Sequence, residues 1–203
     1  MISIKNIAYD IKGIQILSGF SLDVKENEKY LIQGRSGTGK TSLFRLMLGF
    51  TRPVSGQILI QGLAVDSLHI REIRQSIFYL SQDIDLADKT AISTLTSILK
   101  FNNCLSRLET HMDRYLDLLS LSPHLLDKKV SKLSGGERQR LGLLVGFLLD
   151  RPIWLLDEPT SALDDAMKEQ IVDRILTLDK TLLIISHDKV WKNRSELPTI
   201  NWE

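Results

Sequence analysis

This 203-residue sequence predicts an α/β fold built on a parallel sheet. Three observations carry that expectation. Ile153-Trp154-Leu155-Leu156 and Thr181-Leu182-Leu183-Ile184-Ile185 are near-continuous apolar runs, the pattern of strands buried on both faces. Gly34-Arg35-Ser36-Gly37-Thr38-Gly39-Lys40-Thr41 lies between a short strand, Lys29 to Gln33, and a stretch with helical apolar spacing, Thr41 to Gly49. Residues from about 84 to 149 show helical periodicity and few strand signals, which reads as a helical insertion into a core formed by about 1–83 and 150–203.

Taken in order, residues 1–33 read as strands. Ile2, Ile4 and Ile7 begin an apolar pattern, and Asp10-Ile11-Lys12-Gly13 is a turn. Ile14, Ile16 and Leu17 then lead into Phe20 to Val24, which alternates. Lys25 to Lys29 is a charged, solvated turn. Arg52-Pro53-Val54-Ser55-Gly56 breaks the chain after the first helix. Gln57 to Ile60 and Ile77 to Leu80 follow as strands. Helices are expected over Thr94 to Phe101, Leu105 to Leu121 and Gly135 to Leu149, and over Asp165 to Leu178 between the two last apolar strands.

Composition narrows the class. Apolar residues make up 43% and charged residues 25%, ordinary for a soluble globular chain. A net charge of +1 gives no electrostatic footprint for nucleic acid or an anionic membrane. The single cysteine, Cys104, cannot form an internal disulfide and fits a reducing compartment. His69, His111, His124 and His187 lack metal-ligand spacing. The N-terminus has no signal-peptide pattern. The longest apolar run, Leu141 to Leu149, falls well short of the about 20 residues that span a bilayer.

Gly34 to Thr41 fits the phosphate-binding pattern G-x-x-x-x-G-K-[ST] in the strand–turn–helix setting the pattern requires. Backbone without Cβ atoms wraps a phosphate closely, and the N–H groups and dipole of the following helix favour an anion. Lys40 supplies a full charge for the β- and γ-phosphates, and the Thr41 hydroxyl is a Mg²⁺ ligand. Asp157 and Glu158 end an apolar strand. The first is placed to hold Mg²⁺, and the second projects differently and can orient or deprotonate a water. In Leu133-Ser134-Gly135-Gly136-Glu137-Arg138-Gln139-Arg140, Ser134 and Glu137 form an S-x-x-E capping box. Two glycines inside such a cap weaken the helix, which makes sense where backbone N–H groups must approach a phosphate. One loop already holds phosphates, so a second chain is the natural user of this site.

The motifs together resemble the nucleotide-binding subunit of an ATP-binding cassette (ABC) transporter, over nearly the whole chain and in that family's order. GRSGTGKT is followed by Gln82, like the glutamine loop, then by LSGGERQR, like the signature motif, and WLLDEP, like Walker B with its glutamate. Ser161-Ala162-Leu163-Asp164 is like the D-loop and Ile185-Ser186-His187-Asp188 like the switch histidine. The fold implied is a RecA-like phosphate-loop core with an N-terminal antiparallel β subdomain and an inserted α-helical subdomain.

The resemblance also implies roles. Tyr9 would stack on adenine. Gly34, Arg35, Ser36, Gly37, Thr38, Gly39, Lys40, Thr41 and Ser42 would cradle the phosphates of ATP. Thr41, Gln82 and Asp157 would hold Mg²⁺. Glu158 would be the general base, with His187, Gln82 and Lys40 as its catalytic companions. Ser134, Gly135 and Gly136 would close on ATP held by a second copy paired head to tail, and Asp164 would reach across that dimer, besides capping the next helix. The segment from Asp83 to Thr96 would face integral membrane subunits, supplied as a separate polypeptide, that select the cargo. The implied setting is the cytoplasmic face of the cell membrane. A soluble ABC ATPase of translation or DNA repair is the alternative; its usual second cassette, coiled coils or zinc modules are not found in these residues. Two departures stand out: Asn27 occupies a turn position where the family often has glycine, and Val145 occupies a position where it usually has arginine. A regulatory C-terminal domain is not expected.

Overall fold

The computed structural model describes residues 1–202 apart from Asp85 and Ala87. Its first sheet is antiparallel. Strand β1 (Ile2–Ile11) pairs with β2 (Ile14–Val24) on one side and with β4 (Ser55–Ile60) on the other, and β5 (Leu63–Ala64) completes the order β2-β1-β4-β5. A shift in register between Ile4 and Ile7, with Asn6 in a left-handed conformation at φ 48°, lets Ile4, Ile7 and Tyr9 all point into the core.

The second sheet is parallel throughout. Its strands are β3 (Lys29–Gly34), β6 (Ile77–Leu80), β7 (Ile153–Asp157), β8 (Thr181–Ile185) and β9 (Thr199–Trp202), in the order β6-β7-β8-β3-β9. The apolar runs of β7 and β8 are explained by two cores. Ile153, Leu155, Leu183 and Ile185 face a cluster shared with the antiparallel sheet and helix α1 (Lys40–Met47). Trp154, Leu156, Leu182 and Ile184 face the opposite cluster, shared with helices α3 (Ala91–Phe101), α4 (Ser106–Leu118), α5 (Gly135–Leu149) and α6 (Asp165–Leu176).

Helices α3, α4 and α5 all lie between β6 and β7 in the chain. Leu141 to Leu148 of α5 are buried without interruption, so this helix has no solvent face over two turns. Gly142 and Gly146 let β6 cross it closely. A Cβ at Gly146 would stand 2.3 Å from the Phe78 ring, and one at Gly142 would stand 2.7 Å from Leu80. Asn27 has φ 62°, which explains why glycine suits that turn; asparagine tolerates the same conformation.

Some elements have no counterpart in the sequence expectations. Helix α2 (Ile70–Ser76) buries only Ile73, and α7 (Lys189–Lys192) is a single turn. Strand β9 runs parallel to β3 on the sheet's edge, with Gly34 opposite Trp202.

Candidate nucleotide site

In open parallel sheets, ligands bind beyond the carboxyl ends of the strands. Here β3 delivers the Gly34 to Thr41 loop, β6 delivers Gln82, β7 ends in Asp157 and leads to Glu158, and β8 leads to Ser186 and His187. These ends converge on an open cleft of about 530 Å³. Ser36, Gly37, Gly39, Lys40, Thr41, Ser42, Gln82, Asp157, Glu158 and His187 all line it, as do Ser161, Ile185 and Asp188.

The loop is wound tightly on its own atoms. Gly37 and Gly39 have φ 80° and 96°, and Gly39 is the N-cap of α1. Lys40, only 6% exposed, donates from Nζ to the carbonyls of Gly34 (2.8 Å) and Arg35 (2.6 Å). Burial pushes its ammonium below the ordinary lysine value, against the pull of Glu158 and Asp157. Thr38 donates from its hydroxyl to the Arg35 carbonyl at 2.8 Å, so Arg35 and Thr38 brace the loop and do not line the cleft. From outside, the Trp202 indole N–H donates to the Thr38 carbonyl at 2.9 Å. Gly34 is required because a Cβ there would stand 2.3 Å from the Trp202 carbonyl oxygen.

The Thr41 hydroxyl donates to Asp157 Oδ2 at 2.7 Å. Asp157 is 2% exposed, and burial raises its carboxyl above the ordinary range despite that hydrogen bond and the nearby Lys40. No group of three or more His, Cys, Asp or Glu side chains able to hold a metal occurs among the described residues. A hydroxyl and one buried carboxylate beside a phosphate loop match the needs of Mg²⁺, which takes few protein oxygens and fills its shell from phosphate and water.

Glu158 is held in a left-handed backbone conformation, φ 50°. Its N–H donates to the Ile185 carbonyl at 2.8 Å. Its carboxylate accepts from the Ser186 hydroxyl (3.2 Å) and the His187 N–H (3.3 Å), and His187 Nε2 lies 3.7 Å from Oε1. Burial pushes this carboxyl up, and the His187 N–H, the His187 ring and the Ser186 hydroxyl draw it back. A desolvated carboxylate with a raised affinity for protons, beside an imidazole and a phosphate loop, is equipped to take a proton from water. Behind it, Asp188 accepts from the Thr160 hydroxyl at 2.5 Å and from Lys168 Nζ at 2.8 Å, and the Trp191 indole donates to Thr160 Oγ1 at 3.1 Å.

The signature residues stand apart from this cleft. Ser134 and Glu137 form the expected capping box at the start of α5, with Ser134 N–H to Glu137 Oε2 at 2.8 Å and Glu137 N–H to Ser134 Oγ at 3.2 Å. Gly135 lines an adjoining recess with Gln82, Asp83, Ile84, Arg138, Gln139, Ser161 and Ala162. Gly136 has a further reason to be glycine: a Cβ would stand 2.9 Å from the Ala162 carbonyl oxygen. Asp164 caps α6, accepting from the Met167 N–H at 2.9 Å. Of the segment 83–96, Asp85 and Ala87 lie outside the described residues.

Tyr9, expected beside the base, is set back from the cleft wall. Tyr9 is 9% exposed in the core beneath the antiparallel sheet and does not line the cleft. Ile11, two residues on at the end of β1, does, together with Ile16, whose side chain lies over Gly39. One strand repeat of two residues, about 7 Å, separates a core position from the cleft wall. Continuing the apolar pattern past Tyr9 to Ile11 was the signal available.

A family model described as ABC transporter matches residues 17–161. The ATP-dependent lipid A-core flippase of Neisseria meningitidis serogroup A is 32% identical over 200 residues, covering 92% of this chain and 31% of that protein. The transport/processing ATP-binding protein ComA of Streptococcus pneumoniae is 32% identical over 194 residues, covering 91% of this chain and 26% of that one. The chain thus spans about a third or less of the length of these curated relatives. A solved dimeric ATP-binding cassette in a post-hydrolysis state, bound to ADP and Pi, has a TM-score of 0.82 at 26% identity, covering 94% of this chain and 90% of that one. A bacterial ABC exporter with ATP bound has a TM-score of 0.80 at 26% identity, covering 93% of this chain and 34% of that one.

Proposed function

The chain belongs to the ABC transporter family, and on that premise we propose that it binds and hydrolyses ATP to power movement of a cargo through integral membrane subunits. The observation that carries this is the convergence of the phosphate loop, Gln82, Asp157, Glu158 and His187 on one cleft, with the glycine-rich first turn of α5 outside it. The fold described above is that of the ABC ATPase cassettes it matches.

In this scheme the triphosphate lies along Ser36 to Ser42, with Lys40 against its outer phosphates, and the base rests against Ile11 and Ile16. Thr41 and Asp157, with Gln82, would hold Mg²⁺, which would supply charge neutralisation on the phosphates. Glu158 takes a proton from the attacking water while His187 steadies the γ-phosphate. Ser134, Gly135 and Gly136 meet the triphosphate of a second copy paired head to tail, with Asp164 near the shared boundary. The γ-phosphate supplies contacts that ADP lacks, so ATP favours the paired state and hydrolysis releases it. The helical stretch 84–149 carries that turn, and the segment after Gln82 faces the membrane subunit. The working place is the inner face of the cell membrane. No helix among the described residues is long and apolar enough to cross a membrane.

The test is a tagged Glu158→Gln chain recovered from its native cells in mild detergent with ATP. The expected result is ATP-dependent pairing, turnover lowered roughly 10²- to 10⁴-fold, and a co-purifying multi-span membrane protein. Undiminished turnover would remove Glu158 as the base. Ribosomes or DNA-repair proteins in place of a membrane partner would overturn the transport assignment.

A further inference from the structure

Gln139, on the second turn of α5, is 4% exposed and does not line the nucleotide cleft. Its amide is spent on one loop. Nε2 donates to the Glu158 carbonyl at 2.7 Å and lies 3.4 Å from Ser161 Oγ, while Oε1 accepts from the Ala162 N–H at 2.9 Å. The Ser161 hydroxyl, at 3.1 Å, and the Ser161 N–H, at 3.3 Å, also donate to the Glu158 carbonyl. One turn earlier in α5, Gly136 abuts the Ala162 carbonyl. The start of α5 therefore clasps residues 158–162 at two points.

Of residues 158–162, Glu158 alone has a left-handed backbone. At φ 50° a side chain with a Cβ crowds its own carbonyl, and such a conformation persists only where neighbours enforce it. The conformation sets where the carboxylate points. A buried amide costs desolvation unless it finds partners, and here both its donor and its acceptor are used. We propose that Gln139 is a positioning residue for ATP hydrolysis: by fixing the carbonyl of Glu158 and the N–H of Ala162 it holds Glu158 in the left-handed conformation that aims its carboxylate into the cleft. This rests on the ATPase assignment above.

Two variants test it. Gln139→Glu keeps the size and the acceptor for Ala162 N–H but sets an oxygen against the Glu158 carbonyl; Gln139→Leu removes both bonds. Each is assayed for MgATP turnover and, separately, for ATP binding by calorimetry, alone and in the Glu158→Gln background. The expected result is turnover at least tenfold lower in both variants, ATP affinity within twofold of the parent, and no further loss when either is added to Glu158→Gln. A merely structural role would weaken binding and lower the residual rate of the Glu158→Gln chain as well, and would overturn the proposal, as would unchanged turnover. A crystal structure of the Gln139→Glu chain decides the same point without catalysis. Glu158 leaving the left-handed region is the result expected; Glu158 unmoved at φ near its present value overturns the proposal even if the parent chain hydrolyses nothing, an outcome that would separately sink the ATPase assignment.

Discussion

Replacing Trp202 with phenylalanine isolates one hydrogen bond that supports the phosphate loop. A smaller aromatic ring stays, and with it part of the packing on Phe20, whose centroid is 4.8 Å from that of Trp202. The backbone against Gly34 is untouched. What goes is the indole N–H that donates to the Thr38 carbonyl at 2.9 Å. A net hydrogen bond contributes about 0.5–1.5 kcal/mol, and a deeply buried orphaned acceptor costs more. Thr38 is half-buried, so its carbonyl is not a deeply buried acceptor, and a value near 1 kcal/mol applies to the lost bond. Trimming a ring that is 6% exposed adds about 1 kcal/mol of lost burial. Urea unfolding should therefore show roughly 1–2 kcal/mol of destabilisation. The bond to Thr38 also sets a ceiling on the effect at the nucleotide. If it alone keeps the loop ready to bind, about 1 kcal/mol is about fivefold in apparent affinity. Calorimetric titration should then give an ATP Kd two- to fivefold weaker, with kcat unchanged because Trp202 touches no reacting group. An unchanged Kd alongside the expected fall in stability would refute the claim that Trp202 holds the loop, and would leave it as packing only.

Ile11→Tyr should tighten ATP binding, since aromatic stacking contributes about 1–3 kcal/mol per base, whereas Tyr9→Phe should leave ATP affinity unchanged; equilibrium titration of both separates the cleft wall from the core. Gly146→Val drives a side chain into the Phe78 ring and should cost about 1–3 kcal/mol in urea unfolding. Asp188→Asn tests the network behind His187. Burial pushes the Asp188 carboxyl up, but hydrogen bonds from Lys168 and Thr160 and the lysine charge outweigh it and hold the carboxyl below its ordinary value of 3.8. A depressed carboxylate contributes stability that is fully present above its unfolded value and lost as pH falls through the folded one. The Tm gap between parent and Asp188→Asn should therefore be widest near neutral pH and shrink as pH drops below about 4; a constant gap would remove charge as its source.

What the sequence makes legible are the positions where local rules are broken or strictly obeyed. Thr181 to Ile185 reads as a buried strand because both of its faces are apolar, and that is where β8 lies. Gly135 to Leu149 reads as a helix because of its helical periodicity and the capping box at its first turn, and that is where α5 lies. The phosphate loop, Asp157 with Glu158, and His187 are legible because each motif sits at a strand's carboxyl end. Groups recruited by tertiary contact are not legible. Trp202 reaches Thr38 from 164 positions away, on a strand whose four residues are too few to establish a period. Gln139 looks like an ordinary polar residue of a signature stretch until its amide is seen on the Glu158 carbonyl. Tyr9 and Ile11 differ by one strand repeat, and residue type alone does not say which meets the base, because an aromatic ring serves a core as well as a base.

The weak start of α5 and its burial belong to one design. Two glycines in the first turn cost roughly 1 kcal/mol each relative to alanine. Five buried leucine, valine or phenylalanine side chains between Leu143 and Leu148 contribute about 1.5–3 kcal/mol each, so packing, not propensity, holds the helix. Val145 fits this arrangement. It is 8% exposed in the cluster that also holds Phe147, Trp154 and Phe78, with Phe147–Trp154 and Phe78–Trp154 centroids 5.3 and 4.8 Å apart. An arginine there would have to bury a charge, whereas valine lets the helix seat on β6 and β7 through apolar contact alone. A helix anchored over two turns in this way holds its first turn steady without help from local propensity. The backbone at Ser134–Gly136 can then stay open to an anion while Gly136 and Gln139 keep their grip on residues 158–162.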